Sequence, residues 1–262
     1  MKVATFNVNS VRARLDILRR WLDGFPVDVL CLQETKVTDG DFPVDEVRSL
    51  GYEVACRGEK SYNGVAILSR HPMELISCGF DGKGGDEGTR LIAARVKGID
   101  IVNTYIPQGT SPDSEKFAYK LEWFRRLRKY FTKRYSPGGS LLWMGDFNVA
   151  PEPIDVHDPK RLLGHVGYHP DEHHALEEVR SFGFIDIFRK HRPEPGHYSF
   201  WDYRVRDSVI RGLGWRVDHI WGTPAMADLS IDAFIDREPR LWERPSDHAP
   251  VVAVFSTPGT AK

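Results

Sequence analysis

The run Leu141-Leu142-Trp143-Met144 is apolar at every position. It opens after Pro137-Gly138-Gly139 and gives way at once to Gly145-Asp146-Phe147-Asn148. A short unbroken apolar run bounded by turn formers reads as a strand buried in a sheet, and such a strand needs cover on both faces. The rest of the chain supplies it. Further strands are expected at the N-terminus and at residues 27–33, 64–69 and 91–96, with 99–105 following at hairpin distance; three more are expected near 216–221, 229–235 and 250–255. Residues 10–23 form an amphipathic helix with Val11, Leu15, Leu18 and Leu22 on one face, Ser10 as its cap and Gly24 at its end. A second helix covers 113–133, with Phe117, Leu121, Phe124, Leu127 and Phe131 inward, and a third covers 172–182 beyond a long loop at 150–170. Hairpin spacing among many short strands predicts an α/β sandwich in which two mixed, mainly antiparallel sheets pack face to face with flanking helices. The 262 residues suit one such domain, residues 1–258, with a short tail at 259–262.

Composition bounds the surroundings. The formal net charge of −1 supplies no global basic field, though a local basic groove is compatible with it. The three cysteines, Cys31, Cys56 and Cys78, form no CxxC pair, which points to a reducing compartment. The chain starts directly on a strand pattern, and no stretch is long and apolar enough to span a membrane. A cytoplasmic monomer with no membrane partner is the expectation.

The chemistry lies at the strand ends. These read Phe6-Asn7-Val8-Asn9, Gln33-Glu34-Thr35, Tyr105-Ile106-Pro107-Gln108-Gly109, Gly145-Asp146-Phe147-Asn148, Trp215-Arg216-Val217-Asp218 and Ser246-Asp247-His248-Ala249-Pro250. Each alone is compatible with an ordinary turn. Asp218 fits that reading least, because a carboxylate in an apolar strand needs a partner. If the ends share one edge, they gather Glu34, Asp146, Asp218 and Asp247 with Asn7, Asn148, Tyr105 and His248. Clustered carboxylates repel unless a cation sits among them, and oxygen donors without a Cys or His cage favour Mg²⁺, with Mn²⁺ as a substitute. A hard cation beside amide, phenol and imidazole groups suits phosphodiester hydrolysis. The histidines at His165, His169, His173 and His174 read as solvated loop groups in preference to a zinc site.

These motifs together resemble the exonuclease III and AP endonuclease family, within the endonuclease–exonuclease–phosphatase superfamily. Gln33-Glu34-Thr35-Lys36, Gly145-Asp146-Phe147-Asn148 and Ser246-Asp247-His248 mark the superfamily. Tyr105-Ile106-Pro107-Gln108-Gly109, Tyr198-Ser199-Phe200-Trp201-Asp202-Tyr203 and Gly214-Trp215-Arg216-Val217-Asp218 mark the DNA-repair branch. The resemblance runs along essentially the whole chain and implies a four-layered α/β sandwich. It implies that Glu34 is the principal metal ligand, with Asp247 close by and Asn9 standing where some relatives carry Asp. Asp146 would orient or deprotonate the attacking water, supported by Asn7 and Asn148, with a His248–Asp218 pair as the alternative base. His248 would contact the scissile phosphate, its tautomer set by Asp218. Tyr105 would contact the phosphate or assist the leaving group.

The resemblance further implies that Phe200, Trp215 and Val217 wall a pocket for a sugar without its base, and that Trp201, Arg204, Gln108, Arg12, Lys36 and Tyr62 contribute to DNA binding. Arg204 falls where some relatives place an apolar wedge. The implied activity is Mg²⁺-dependent cleavage 5′ to abasic sites in duplex DNA, with trimming of blocked 3′ ends and 3′→5′ exonuclease activity. Two other readings fit less well. A phosphatase of inositol phosphates or lipids is disfavoured by the aromatic segment 200–215. A DNA-binding protein without catalysis is disfavoured by the presence of Glu34, Asp146 and His248 together.

Overall fold

The computed structural model describes residues 1–80 and 86–256, so the tail expected at 259–262 lies outside the described residues. Its strands are β1 (Lys2–Asn7), β2 (Val29–Gln33), β3 (Glu53–Arg57), β4 (Val65–Ser69), β5 (Met73–Cys78), β6 (Leu91–Val96), β7 (Ile99–Tyr105), β8 (Leu141–Asp146), β9 (Ile185–Asp186), β10 (Asp218–Gly222), β11 (Ser230–Ile235) and β12 (Val251–Phe255). The helices are α1 (Leu15–Gly24), α2 (Val44–Ser49), α3 (Glu115–Arg134), α4 (Pro159–Leu162), α5 (Pro170–Arg180), α6 (Ile187–His191) and α7 (Pro224–Leu229). They build two six-stranded sheets, in the orders β11-β12-β1-β2-β4-β3 and β5-β6-β7-β8-β10-β9. Each sheet holds one parallel pair, β1 with β2 and β7 with β8, joined by the crossover helices α1 and α3; the other pairings are antiparallel.

Alternation along the strands makes three apolar layers. Inward side chains such as Val3, Cys31, Ile67, Ile101, Met144, Ile220 and Ala253 meet between the sheets. Outward ones meet helices: Phe6, Leu30 and Leu68 pack under Leu18, Trp21 and Leu22 of α1, while Val102, Trp143 and Trp221 pack under Trp123, Leu127 and Phe131 of α3. Helix, sheet, sheet and helix are the four layers. Each fully buried Leu, Ile or Val contributes about 1.5–3 kcal/mol, so the strand pattern commits the chain to this stack. No helix among the described residues is long and apolar enough to cross a membrane.

The same alternation places the chemistry. Asn7, Gln33, Tyr105, Asp146 and Asp218 fall on inward positions at one end of the sandwich. Just below them, Gln33 donates to Thr5 Oγ1 (2.9 Å) and to Asn103 Oδ1 (2.7 Å), and Asn103 donates to the carbonyls of Leu32 and Ala66. This buried amide network ties the two sheets together under the site. Gly145 has a geometric reason. Its φ is +141°, and a Cβ there would lie 2.0 Å from the Thr104 carbonyl oxygen. Gly145→Ala is therefore expected to destabilise the fold by about 3 kcal/mol or more, read as a lowered urea midpoint; a midpoint near wild type would show that β7 and β8 separate more easily than their register suggests.

Three local expectations need correction. The first helix starts at Leu15, not at residue 10, and Ser10 does not cap it. Residues 9–11 are held elsewhere: Ser10 N donates to the Glu34 carbonyl (2.7 Å) and Val11 N to that of Thr35 (3.1 Å), with Asn9 and Ser10 at positive φ. The third helix begins at Pro170, capped by His169, whose Nδ1 accepts from Asp171 N at 3.1 Å. The half-exposed edge strands β3 and β5 escaped the pattern reading because they bury too little to show a clear period.

Candidate active site

The parallel pairs carry their ends to the same edge, and the groups there are joined through Asn7. Its amide nitrogen donates to Glu34 Oε1 and to Asp146 Oδ2, both at 2.9 Å, and its oxygen accepts from Asn9 N at 3.0 Å. A neutral amide between two carboxylates offsets part of their repulsion without adding charge. The segment after β8 turns back on Asp146: Asn148 N donates to its Oδ1 (2.8 Å), and Asn148 Nδ2 donates to the Ile106 carbonyl (2.8 Å). Glu34 and Asn148 both adopt left-handed backbone, with φ of +51°, which non-glycine residues rarely hold.

Asp218 lies opposite Asp146 in the β8–β10 register. Its Oδ2 accepts from Ser199 Oγ (2.7 Å) and faces His248 Nδ1 at 2.8 Å. The other ring nitrogen, Nε2, is 3.9 Å from Asp146 Oδ2. Burial opposes charge on His248, but the adjacent Asp218 carboxylate, with Asp146 and Asp247 beyond it, pushes its pKa up to about 10. The group is thus an imidazolium at neutral pH. Asp146 is pushed up to about 7, first by burial and then by the Asp218 charge, against the pull of His248 and Asn7. Two carboxylates in one register position thus take different roles. Burial also raises Tyr105, with Glu34 and Asp146 adding to it, so its phenol keeps its proton and acts as a donor. Arg90 covers its ring at 4.9 Å.

Glu34 is a different carboxylate. Burial works against its charge, but the Lys36 ammonium, 2.7 Å from Oε2, and the Asn7 amide outweigh that and hold it below the usual range. The ligating atoms of Glu34, Asp146 and His248 lie within 4.8 Å of one another. A protonated imidazole ligates nothing, which leaves the carboxylate oxygens of Glu34, Asp146 and Asp247 as candidate donors. Clustered, mutually repelling oxygen donors fit a hard divalent cation. Asn9, at the expected third ligand position, joins the loops around Glu34: its Nδ2 donates to Asp247 Oδ1 (2.9 Å) and its Oδ1 accepts from Lys36 Nζ (2.6 Å).

Glu34, Tyr105, Asn148, Asp247 and His248 open into a cleft of about 860 Å³. Phe200, Trp215 and Val217 form its apolar wall, and Phe200 rests on His248 with ring centres 4.9 Å apart. Phe200 and Trp215 are held together by paired backbone hydrogen bonds of 2.9 Å. Gln108 and Arg204 lie along the cleft; Arg204 is exposed and forks onto Asp202. Lys36 pairs with Glu34 and Tyr62 stands 71% exposed on a nearby loop; neither lines the cleft itself. Trp201 and Arg12 lie outside it as well. Trp201 is 1% exposed and packs on Val209 and Ala249, because alternation after Phe200 turns it into the core. Arg12 is an exposed residue of the 10–14 turn outside the cleft; the neighbouring Arg14 holds the Asn9 and Pro245 carbonyls instead. The four histidines diverge: His165 lines the cleft, His169 caps α5, and on that helix His173 bonds the Ala150 carbonyl and His174 is exposed beside Glu178.

Arg211, read from its loop as a residue able to enter a groove, does line the cleft, whereas sequence reasoning missed His157 and Arg161 as cleft-lining residues. It also missed the buried Arg216, which points away from the cleft onto Asp155 (2.6 Å), Asp186 (2.8 Å) and His219 (2.9 Å) while Trp215 and Val217 face into it. The one signal was period two within Trp215-Arg216-Val217, which puts the middle residue on the opposite face.

Residues 4–248 match the Endonuclease/Exonuclease/phosphatase family. Exodeoxyribonuclease III of Haemophilus influenzae is 34% identical over 97% of this chain and 100% of its own length. Among solved structures, an AP endonuclease from Archaeoglobus fulgidus superposes with a TM-score of 0.95 at 48% identity, covering 98% of this chain and 100% of that one. A 3′ phosphatase from Neisseria bound to product DNA hairpin superposes at 0.93 with 37% identity, over 98% and 100%. Fold, edge chemistry and similarity agree along the whole chain, which belongs to the endonuclease/exonuclease/phosphatase family, in its exonuclease III and AP endonuclease branch.

Proposed function

We propose that this DNA-repair nuclease cleaves the phosphodiester bond 5′ to an abasic site in duplex DNA, with Mg²⁺ as its cation, and also trims blocked 3′ ends. The observation that carries the reading is the apolar wall of Phe200, Trp215 and Val217 directly beside His248. In this reading a sugar without a base enters the recess once extruded and an intact nucleotide is excluded, and extrusion is cheapest where stacking is already lost. The 48% identity to an AP endonuclease supports the same reading.

The residues divide the work. Glu34, with Asp247 and Asp146 nearby, would hold the cation, which neutralises charge on phosphoryl oxygens when bound. Asp146, steadied by Asn7 and Asn148, takes the proton of the attacking water. His248, kept charged by Asp218, donates from Nε2 to a phosphate oxygen, and the neutral Tyr105 phenol donates to another. An imidazolium at neutral pH has no free base, so the structure favours Asp146 over His248 as proton acceptor. Arg161, Arg204 and Arg211 line the cleft with positive charge suited to flanking phosphates, despite the net charge of −1.

A second reading has its own support: the 3′ phosphatase bound to product DNA shares the fold at TM-score 0.93, and the same cleft would seat a 3′-terminal phosphate. Three labelled duplexes separate the readings: one abasic, one blunt and one bearing a 3′-phosphate, each with Mg²⁺ and with EDTA. The abasic duplex is expected to be nicked fastest, and only with the metal. Preference for the 3′-phosphate duplex would favour the second reading, and turnover in EDTA would sink the metal mechanism.

A further inference from the structure

Behind the cleft, Lys120 of α3 and Glu172 of α5 form an ion pair with no exposed side-chain surface. A pair so deeply buried pays heavily in lost hydration and is weak evidence for stability, so its value lies in what it holds in place. Lys120 Nζ donates to the Gln108 carbonyl (3.0 Å), the Asn148 carbonyl (2.7 Å) and Glu172 Oε1, which uses all three of its hydrogens. Glu172 Oε2 accepts from Gly167 N (2.7 Å) and His169 N (3.2 Å). Gln108, Asn148 and Gly167 all line the cleft. One buried pair thus grips three separate loops from behind. Two of the grips meet demanding backbone: Asn148 has a φ of +51°, and Gly109, at +104°, has Lys120, Phe117 and Val166 within 3.3–3.4 Å of where a Cβ would be.

We propose that Lys120 and Glu172 are positioning residues for hydrolysis. They keep Asn148 in the conformation that aims Asp146, and they hold the Gln108 and Gly167 loops in register across the cleft. The inference rests on the reading of Asp146 as the group that handles water. Neither residue touches substrate, so the expected loss falls on the chemical step and not on binding.

The test compares kcat, KM and melting temperature for Lys120→Met, Lys120→Arg and Glu172→Gln. It uses whichever of the three duplexes the wild type turns over, at a temperature where each variant is folded. Lys120→Met is expected to lower kcat by about 10- to 100-fold, the scale of a small misplacement of reacting groups, with KM within a few-fold. Lys120→Arg, which keeps the charge and the donors, should recover part of the loss. Glu172→Gln should lose less than Lys120→Met, because its amide still offers Lys120 an acceptor. Should Lys120→Met fail to fold, Glu172→Gln, with side-chain volume unchanged, carries the test with a smaller expected loss of kcat, above two-fold. A kcat within two-fold of wild type in folded variants, or a loss confined to KM, overturns the proposal. Failure of the abasic reading shows instead in the wild type, as turnover of another duplex in preference. A wild type inactive on all three overturns both.

Discussion

Asp146→Asn is expected to lower nicking of an abasic duplex by about 10²- to 10⁴-fold, the range of a lost general base, while duplex affinity stays within a few-fold. The geometry makes the change specific. Both Asp146 oxygens accept from N–H groups, Oδ2 from Asn7 and Oδ1 from Asn148. An amide in that place turns one of its own N–H groups toward a donor, so one hydrogen bond is lost in either orientation, at a cost of about 1–3 kcal/mol. It also removes a charge that faces Asp218 across the β8–β10 register, which relieves repulsion. The fold should therefore survive while the acceptor for the water's proton is gone. Filter binding and single-turnover nicking, run at one salt concentration, separate the two effects. Unchanged nicking would remove Asp146 from the mechanism and return the role of base to the His248–Asp218 pair.

That prediction draws on residues legible before any coordinates, and the reason is periodicity. A strand alternates its side chains, so a polar group at a strand's inward end is held at the rim of the core wherever the sheets lie. Asn7, Gln33, Tyr105, Asp146 and Asp218 all satisfy this rule, and the two parallel pairs bring their ends to one edge. The loops followed other rules. Residues 9–11 resemble the first turn of an amphipathic helix, but their backbone is spent on the carbonyls of Glu34 and Thr35, a pairing between segments distant in sequence. Arg12 and Arg14 look alike in the sequence; the turn before α1 leaves one exposed and sends the other to the Asn9 carbonyl. Trp201 carried the same aromatic signal as Phe200 and lost it to alternation.

The buried ion pairs were illegible for a different reason. Lys120 and Glu172 look like solvated helix residues, since charged side chains usually are. Only the contact between α3 and α5, with the loops closing over it, makes their positions interior. Arg216 is similar: nothing in its own motif shows that Asp155 and Asp186, from segments 61 and 30 residues away, come to neutralise it. Long-range charge pairing leaves no local pattern, so it emerges only with the fold.

The pH dependence of cleavage should expose the same division of labour. Asp146 must be ionised to take a proton, and its pKa is pushed up to about 7 by burial and by Asp218. The rate should therefore rise with pH up to about that value, and at lower pH once a divalent cation at Glu34 adds positive charge. His248 must be protonated to donate to the phosphate, and Asp218 holds its pKa up to about 10 against burial. The rate should fall as pH passes that point, giving a broad plateau between the two limbs. Asp218→Asn removes the charge that sustains the imidazolium and leaves burial unopposed by its largest counterweight. The alkaline limb should then move down by several pH units, and kcat at pH 8 should drop by about 10²-fold or more. The variant also loses the acceptor that fixes the tautomer, since an amide facing Nδ1 at 2.8 Å is able to donate where the carboxylate only accepted. Ser199, which donates to the same Asp218 oxygen at 2.7 Å, gives a graded control: Ser199→Ala should shift the alkaline limb far less, because the carboxylate remains. An alkaline limb that stays near pH 10 in Asp218→Asn would mean that His248 is not the group titrating there, and the phosphate contact would pass to Tyr105.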